Sequence, residues 1–289
     1  LSHEHTALSL TPGLAVADLE LRYGPRSVID GLSLTVPHSG FTVIIGPNGC
    51  GKSTLLRALS RMLRPASGVV SLDGADLARL RTKQVARRIS TLAQAPATPT
   101  AITVADLVSR GRNPYQSILR QWSAADDAAV TRALAEVEMT EHAERLVEEL
   151  SGGQRQRAWL AMALAQETPI LLLDEPTTYL DISHQVDVLD LCSRLHAGGR
   201  TLVAVLHDLN LAARYATHIV AMRAGEIVAQ GPPESLITPN LLREVFDLEA
   251  VVIDDPETGR PLIVPRDTRP HTSRPSPRRE PFAAEQESA

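Results

Sequence analysis

Lys52 is one of only two lysines among 29 basic residues, the other being Lys83. It stands in the run Gly46-Pro47-Asn48-Gly49-Cys50-Gly51-Lys52-Ser53-Thr54, which matches the phosphate-binding loop pattern. Glycines let main-chain N–H groups curl around phosphate oxygens, and a helix opening at Lys52 adds positive potential. Lys52 then supplies a compact point charge to β- and γ-phosphates, a place that arginine's planar fork fits poorly. The Ser53 hydroxyl is suited to Mg²⁺. A second cluster closes the apolar run Ile170-Leu171-Leu172-Leu173 with Asp174-Glu175. Asp174 is suited to act on the metal, and Glu175 to act as general base or water-polariser beside the γ-phosphate. The third is Leu150-Ser151-Gly152-Gly153-Gln154, a serine cap ahead of a helical stretch. It offers amides and a hydroxyl at a second helix N-terminus. Either the stretch between the two ends folds back, or two chains meet head to tail, each closing the other's nucleotide. The second arrangement is the simpler expectation.

These groups need elements to hold them. Val43-Ile44-Ile45, Ile170–Leu173 and Leu202–Leu206 are short apolar runs without alternation, as parallel strands covered on both faces require. Helical stretches lie between them, and the alternation predicts an α/β domain with ligands at the carboxyl ends of its strands. Residues 52–62 should open as a helix with Leu55, Leu56 and Leu59 on one face. Strand signals vanish between Gln94 and Leu150, where residues 124–138 and 141–149 read as helices, predicting a helical insertion. Residues 219–230 read as two strands about the turn Ala224-Gly225-Glu226. The last strands are Val251–Ile253 and Leu262–Val264. Beyond Pro265 the chain has no Val, Ile or Leu and four prolines, so residues 266–289 read as a disordered tail.

Composition narrows the classes. The formal charge is −5, which argues against nucleic acid as a partner, since phosphate neutralisation asks for a basic surface. Two cysteines, Cys50 and Cys192, are too few for a disulfide framework or a four-ligand zinc site, and a reducing compartment is expected. No apolar run approaches the roughly 18 residues of a membrane span. The first residues carry no secretion signal, and the start at Leu1 suggests trimming. Cys50, next to a helix N-terminus and a lysine, is expected to have a lowered pKa and to react with thiol reagents unless ATP protects it.

In this order the motifs resemble the ATP-binding subunit of an ABC transporter, from about Leu14 to Pro265. The resemblance implies a P-loop NTPase fold of that type: a mainly parallel core sheet, an antiparallel β subdomain, and a helical subdomain inserted at about 95–165 of a domain spanning 1–265. Residues 46–54 then correspond to the Walker A motif, 150–154 to the signature and 170–175 to the Walker B segment with the catalytic glutamate. By the same resemblance Gln94 is the glutamine that touches Mg²⁺ and couples to the permease, and His207 the histidine on the γ-phosphate. Asp181 is the aspartate at the dimer interface, and Tyr23 the aromatic on adenine. ATP and Mg²⁺ are the implied cofactors. The implied partners are a second copy, separate permease subunits at the cytoplasmic face of the cell membrane and, indirectly, an extracytoplasmic binding protein.

Asp174-Glu175-Pro176-Thr177-Thr178-Tyr179-Leu180-Asp181-Ile182-Ser183-His184-Gln185 is similar to the iron–siderophore uptake branch, whose relatives import haem and vitamin B12. Gly111-Arg112-Asn113-Pro114-Tyr115 and Asp255-Pro256-Glu257-Thr258-Gly259 are similar to that branch too. An ABC ATPase acting on nucleic acid or ribosomes would need tandem cassettes, a coiled coil or a basic face. A regulator without turnover would lack Glu175 or His207, and both are present.

Overall fold

The computed structural model describes residues 13–94, 100–117, 122–178 and 180–267. The chain opens with strands β1 (Leu14–Tyr23) and β2 (Arg26–Thr35), then the buried β3 (Phe41–Ile45) leads through the glycine loop into helix α1 (Lys52–Leu59). β4 (Ser67–Leu72), the two-residue β5 (Ala75–Asp76), the short α2 (Thr82–Ala86) and β6 (Ile89–Leu92) follow. Between β6 and β7 the described elements are helical. α3 (Val104–Ser109) runs into a 3₁₀ turn at Arg110–Tyr115, then come α4 (Ala124–Glu136) and α5 (Gly152–Ala165). The remainder alternates: β7 (Ile170–Asp174), α6 (Ile182–Ala197), β8 (Thr201–Val205), α7 (Leu209–Tyr215), β9 (His218–Arg223), β10 (Glu226–Gly231), α8 (Pro233–Leu236) and α9 (Pro239–Phe246). A hairpin of β11 (Ala250–Asp254) and β12 (Pro261–Pro265) ends the described chain.

Six strands form the central sheet in the order β10-β9-β3-β8-β7-β6. Every pairing from β9 to β6 is parallel, and only β10 runs antiparallel, on β9. A separate antiparallel sheet has the order β2-β1-β4-β5. Every residue of β3, β7 and β8 is buried, which explains their unbroken apolar sequences. The pleat sends successive side chains to opposite faces. Accordingly Val43 and Ile45 join the core shared with the helices, while Ile44 joins the core shared with α1 and the antiparallel sheet. Leu55, Leu56 and Leu59 pack α1 into that second core, each burial contributing about 1.5–3 kcal/mol.

One expectation fails locally. Residues 141–149 are not a helix but two 3₁₀ turns, Thr140–His142 and Val147–Glu149. Leu146 between them has extended backbone and bridges Thr103, which breaks any continuous helix. The sequence reading also passed over α3, whose six residues are too few to show a helical period. Thr103 starts it by a capping box with Asp106. Most of the Pro- and Arg-rich tail, residues 268–289, lies outside the described residues. Among the described residues no helix is long and apolar enough to cross a membrane.

Candidate functional site

The carboxyl ends of β3, β7 and β8 deliver three chemistries to one edge of the sheet. At the end of β3 the chain must turn beneath β9. A Cβ on Gly46 would lie 2.2 Å from the Met222 carbonyl oxygen, so only glycine lets the loop pass. Gly51, at φ 107°, caps α1 from the left-handed region. The β9–β10 turn fastens the loop by a bond from Gly225 N–H to the Cys50 carbonyl (3.0 Å). Lys52 is 5% exposed, and its ammonium donates to the carbonyls of Gly46 (2.8 Å) and Pro47 (3.0 Å). The charge is thus held at the mouth of the loop before any phosphate arrives.

β7 contributes the carboxylates. Ser53 Oγ donates to Asp174 Oδ1 at 2.8 Å. Burial pushes the Asp174 carboxyl above its ordinary range, against the opposing effect of the Ser53 hydrogen bond. Glu175 adopts φ 53°, a conformation few non-glycine residues take and one that clusters at functional sites. Its Oε2 accepts hydrogen bonds from Gln94 Nε2 (2.6 Å) and Thr178 Oγ1 (3.0 Å), and its Oε1 lies 2.6 Å from His207 Nε2. Burial works to raise this carboxyl, yet the bonds from His207, Thr178 and Gln94, with the histidine's charge, outweigh it and hold Glu175 below the usual range. Neighbouring acids with pKa values pushed apart are a mark of divided chemical roles.

A cleft of about 430 Å³ is lined by residues 48–54 except Cys50, by Glu175 and His207, and by Tyr23, Arg26 and Val28 of the antiparallel sheet. Tyr23 is 44% exposed, and its hydroxyl accepts a bond from Arg57 Nη1 (3.2 Å). The sequence reading missed Arg26, Val28 and Thr178. Thr178 stands three residues after Glu175, the spacing at which a hydroxyl reaches back, and that was the available signal.

Asp174 and Gln94 line an adjoining pocket on the β6 side instead, joined to the cleft through their bonds to Ser53 and Glu175. Two further predicted pieces stand apart from both. Ser151 caps α5 through its Oγ, which accepts Gln154 N–H (3.2 Å), while Gln154 Oε1 accepts Ser151 N–H (3.2 Å). Ser151 and Gly152 are exposed, and none of residues 151–154 lines the cleft. Asp181 is also exposed and caps α6. The His184 backbone N–H, with the His184 ring and Ser183 hydroxyl, holds its carboxyl down at about 2. Cys50 corrects an expectation. It is only 4% exposed, and burial raises its thiol pKa despite the opposing pull of Lys52. The low-pKa reading counted the nearby charge and not the desolvation.

A glycine loop, a buried lysine and a fastened glutamate on one parallel sheet edge are the parts of a nucleotide hydrolase. Residues 29–178 match the ABC transporter family. The chain belongs to that family, as an ATP-binding cassette with ATPase activity. It is 54% identical over 248 residues to the ferric enterobactin transport ATP-binding protein FepC of Escherichia coli (strain K12), covering 86% of this chain and 92% of that one. It is 53% identical over 248 residues to the petrobactin import ATP-binding protein FpuD of Bacillus anthracis, covering 86% and 91%. Among solved structures it is similar to a metal-chelate type ABC transporter in an inward-facing conformation, with TM-score 0.76, 27% identity, and 88% and 97% of the two chains covered. A dimeric bacterial ABC cassette aligns with TM-score 0.68 at 26% identity, covering 76% of this chain and 98% of that one.

Proposed function

We propose that this chain is the ATP-hydrolysing subunit of an importer for iron–siderophore complexes, peripheral on the cytoplasmic face of the membrane and working through separate permease subunits. The observation that carries the chemistry is the grip of Gln94, Thr178 and His207 on Glu175 beside the Lys52 loop. Likeness to siderophore-system ATPases supports the substrate class.

In this reading the amides of residues 46–54 and Lys52 bind and neutralise the β- and γ-phosphates of ATP, and Tyr23 offers its ring to adenine. Glu175 orients the attacking water and accepts its proton, with its oxygens positioned by Gln94 and Thr178. His207 sits on the γ-phosphate side. Ser53, Asp174 and Gln94 would hold Mg²⁺. Hard oxygen donors suit that ion, and no group of three or more His, Cys, Asp or Glu gathers among the described residues to cage it alone. Held there together with the phosphates, the ion would stabilise charge growing on the phosphoryl oxygens.

Ser151–Gln154 closes the nucleotide of a second copy, with Asp181 at the interface between them. Closure turns the helical stretch and acts on the permease near residues 94–115, while a binding protein outside the cell presents the chelate. Reconstitution with its permease tests this. Proteoliposomes should take up a ferric siderophore on ATP addition, and uptake of haem or cobalamin instead would reassign the substrate.

A further inference from the structure

The two ends of α5 are held very differently. At the N-terminal end the hydrogen bonds of Ser151 and Gln154 stay local, with one further contact from Gln154 Nε2 to His142 Nε2 (3.1 Å). From this end only side chains reach the core side, Gln156 Nε2 to the Pro176 carbonyl (3.0 Å) and Arg157 Nη2 to the exposed Asp187 of α6 (2.7 Å), besides the packing of Gly153 on the His184 ring. At the C-terminal end, side chains bind main-chain carbonyls in a chain that crosses from the helices to the core sheet. Arg112 Nη1 donates to the Ala165 carbonyl (2.7 Å), and Tyr115 Oη to the Gln166 carbonyl (2.8 Å). Gln166 Nε2 donates in turn to the carbonyls of Ala86 and Ile89, at the foot of β6. From the core side Arg87 Nε reaches the Pro114 carbonyl (3.1 Å) and Lys83 Nζ the Gln116 carbonyl. The turn that carries Arg112 and Tyr115 lies against α5 itself, since a Cβ on Gly111 would stand 2.2 Å from the Met162 carbonyl oxygen.

We infer that Lys83, Arg87, Arg112, Tyr115 and Gln166 form the pivot on which the helical stretch turns, positioning the signature at the far end of α5. Main-chain carbonyls at a helix C-terminus need donors, and these donors come from a neighbouring turn, so the fastening is directional. A helix of 14 residues spans about 21 Å, so a small rotation about its fixed end is multiplied along that length at Ser151. Arg112, paired with the buried Asp126 of α4 (2.9 Å) and with Glu167 (2.8 Å), makes α4, the turn and the end of α5 move as one piece. Lys83, the chain's other lysine, belongs to this pivot. The inference rests on the motor reading above, because only a signature that meets a second copy gains from a fixed swing.

The test is the double variant Tyr115→Phe, Gln166→Leu, which keeps side-chain volume, the ring and the Arg112–Asp126 pair. We expect a folded protein that binds ATP with unchanged affinity and stoichiometry. Its turnover per bound site should fall about 10-fold with KM unchanged, and ATP-driven dimerisation in a Glu175→Gln background should weaken about 10-fold, as expected when positioning is lost but binding is not. A merely structural role would reduce the number of ATP sites and leave turnover per site intact, which overturns the pivot. Turnover and dimerisation equal to those of the unmodified chain overturn it as well. If the unmodified chain itself neither hydrolyses ATP nor dimerises, the motor reading falls and takes the pivot with it.

Discussion

Two helices of this chain begin with a glycine-rich turn suited to phosphate, and they are equipped in opposite ways. At the N-terminus of α1 the loop holds Lys52 with its own carbonyls, and distant parts of the chain brace the rest: Asp174 holds Ser53 and Gly225 holds the Cys50 carbonyl. At the N-terminus of α5 the serine and glutamine bond chiefly to each other, and Ser151 and Gly152 are exposed. The first end is assembled by one chain. The second is left open, as the proposed pairing with a second copy requires. The difference teaches where rigidity belongs: the chemistry sits on the central sheet, and in the proposed clamp the surface that meets a second copy sits on a helix fastened at its other end.

The largest effect should come from breaking the equipped end. Glu175→Gln should lower ATP turnover by about 10²–10⁴-fold, the usual contribution of a positioned general base. ATP binding should persist, because Lys52 and the loop amides are untouched, and ATP-driven pairing should become longer-lived. Turnover at the native rate would remove Glu175 from its assigned role.

Next in size is the support of the open end. Arg112→Ala leaves Asp126, 1% exposed, without its cation, and loss of one partner of a buried pair costs about 3–5 kcal/mol. Denaturant unfolding should show this loss. The exposed pair of Arg157 and Asp187 should by contrast cost under about 1 kcal/mol when broken. Equal costs would mean that the Arg112 cluster is not the scaffold described above.

The smallest effect concerns Cys50. A thiol whose pKa is raised holds less thiolate at neutral pH than a free cysteine, so alkylation of Cys50 at pH 7 should be slower than that of a free cysteine. Labelling should accelerate as pH rises past the ordinary thiol range. Cys192, fully buried with its thiol pushed up to about 12, should stay unlabelled until the protein unfolds. Fast labelling of Cys50 at neutral pH, blocked by ATP, would restore the original expectation.

What the sequence revealed follows the same division. The parallel strands were readable because a strand buried on both faces must be apolar throughout, and the loop because only glycine passes under Met222. Asp174 and Glu175 were readable as acids ending such a strand. The grip on Glu175 was only half readable: Gln94 and His207 entered by resemblance, and Thr178 not at all, since a hydroxyl's partner depends on the turn that bends it back. The helical stretch was the least legible part. Its 3₁₀ turns at 140–149 contain enough helix formers to imitate a helix, and an extended Leu146 overrides them. The pivot was invisible for a related reason, because its acceptors are main-chain carbonyls, which carry no mark in the sequence.

The claim that one chain holds an incomplete site is tested most directly by mixing two inactive variants. Lys52→Ala has a dead loop and an intact signature, and Ser151→Arg has the reverse. In a two-fold pair with each signature on the other chain's loop, the mixed dimer rebuilds one site of two, and an equal mixture should recover about a quarter of native turnover. A mixture as inactive as either parent would contradict the account.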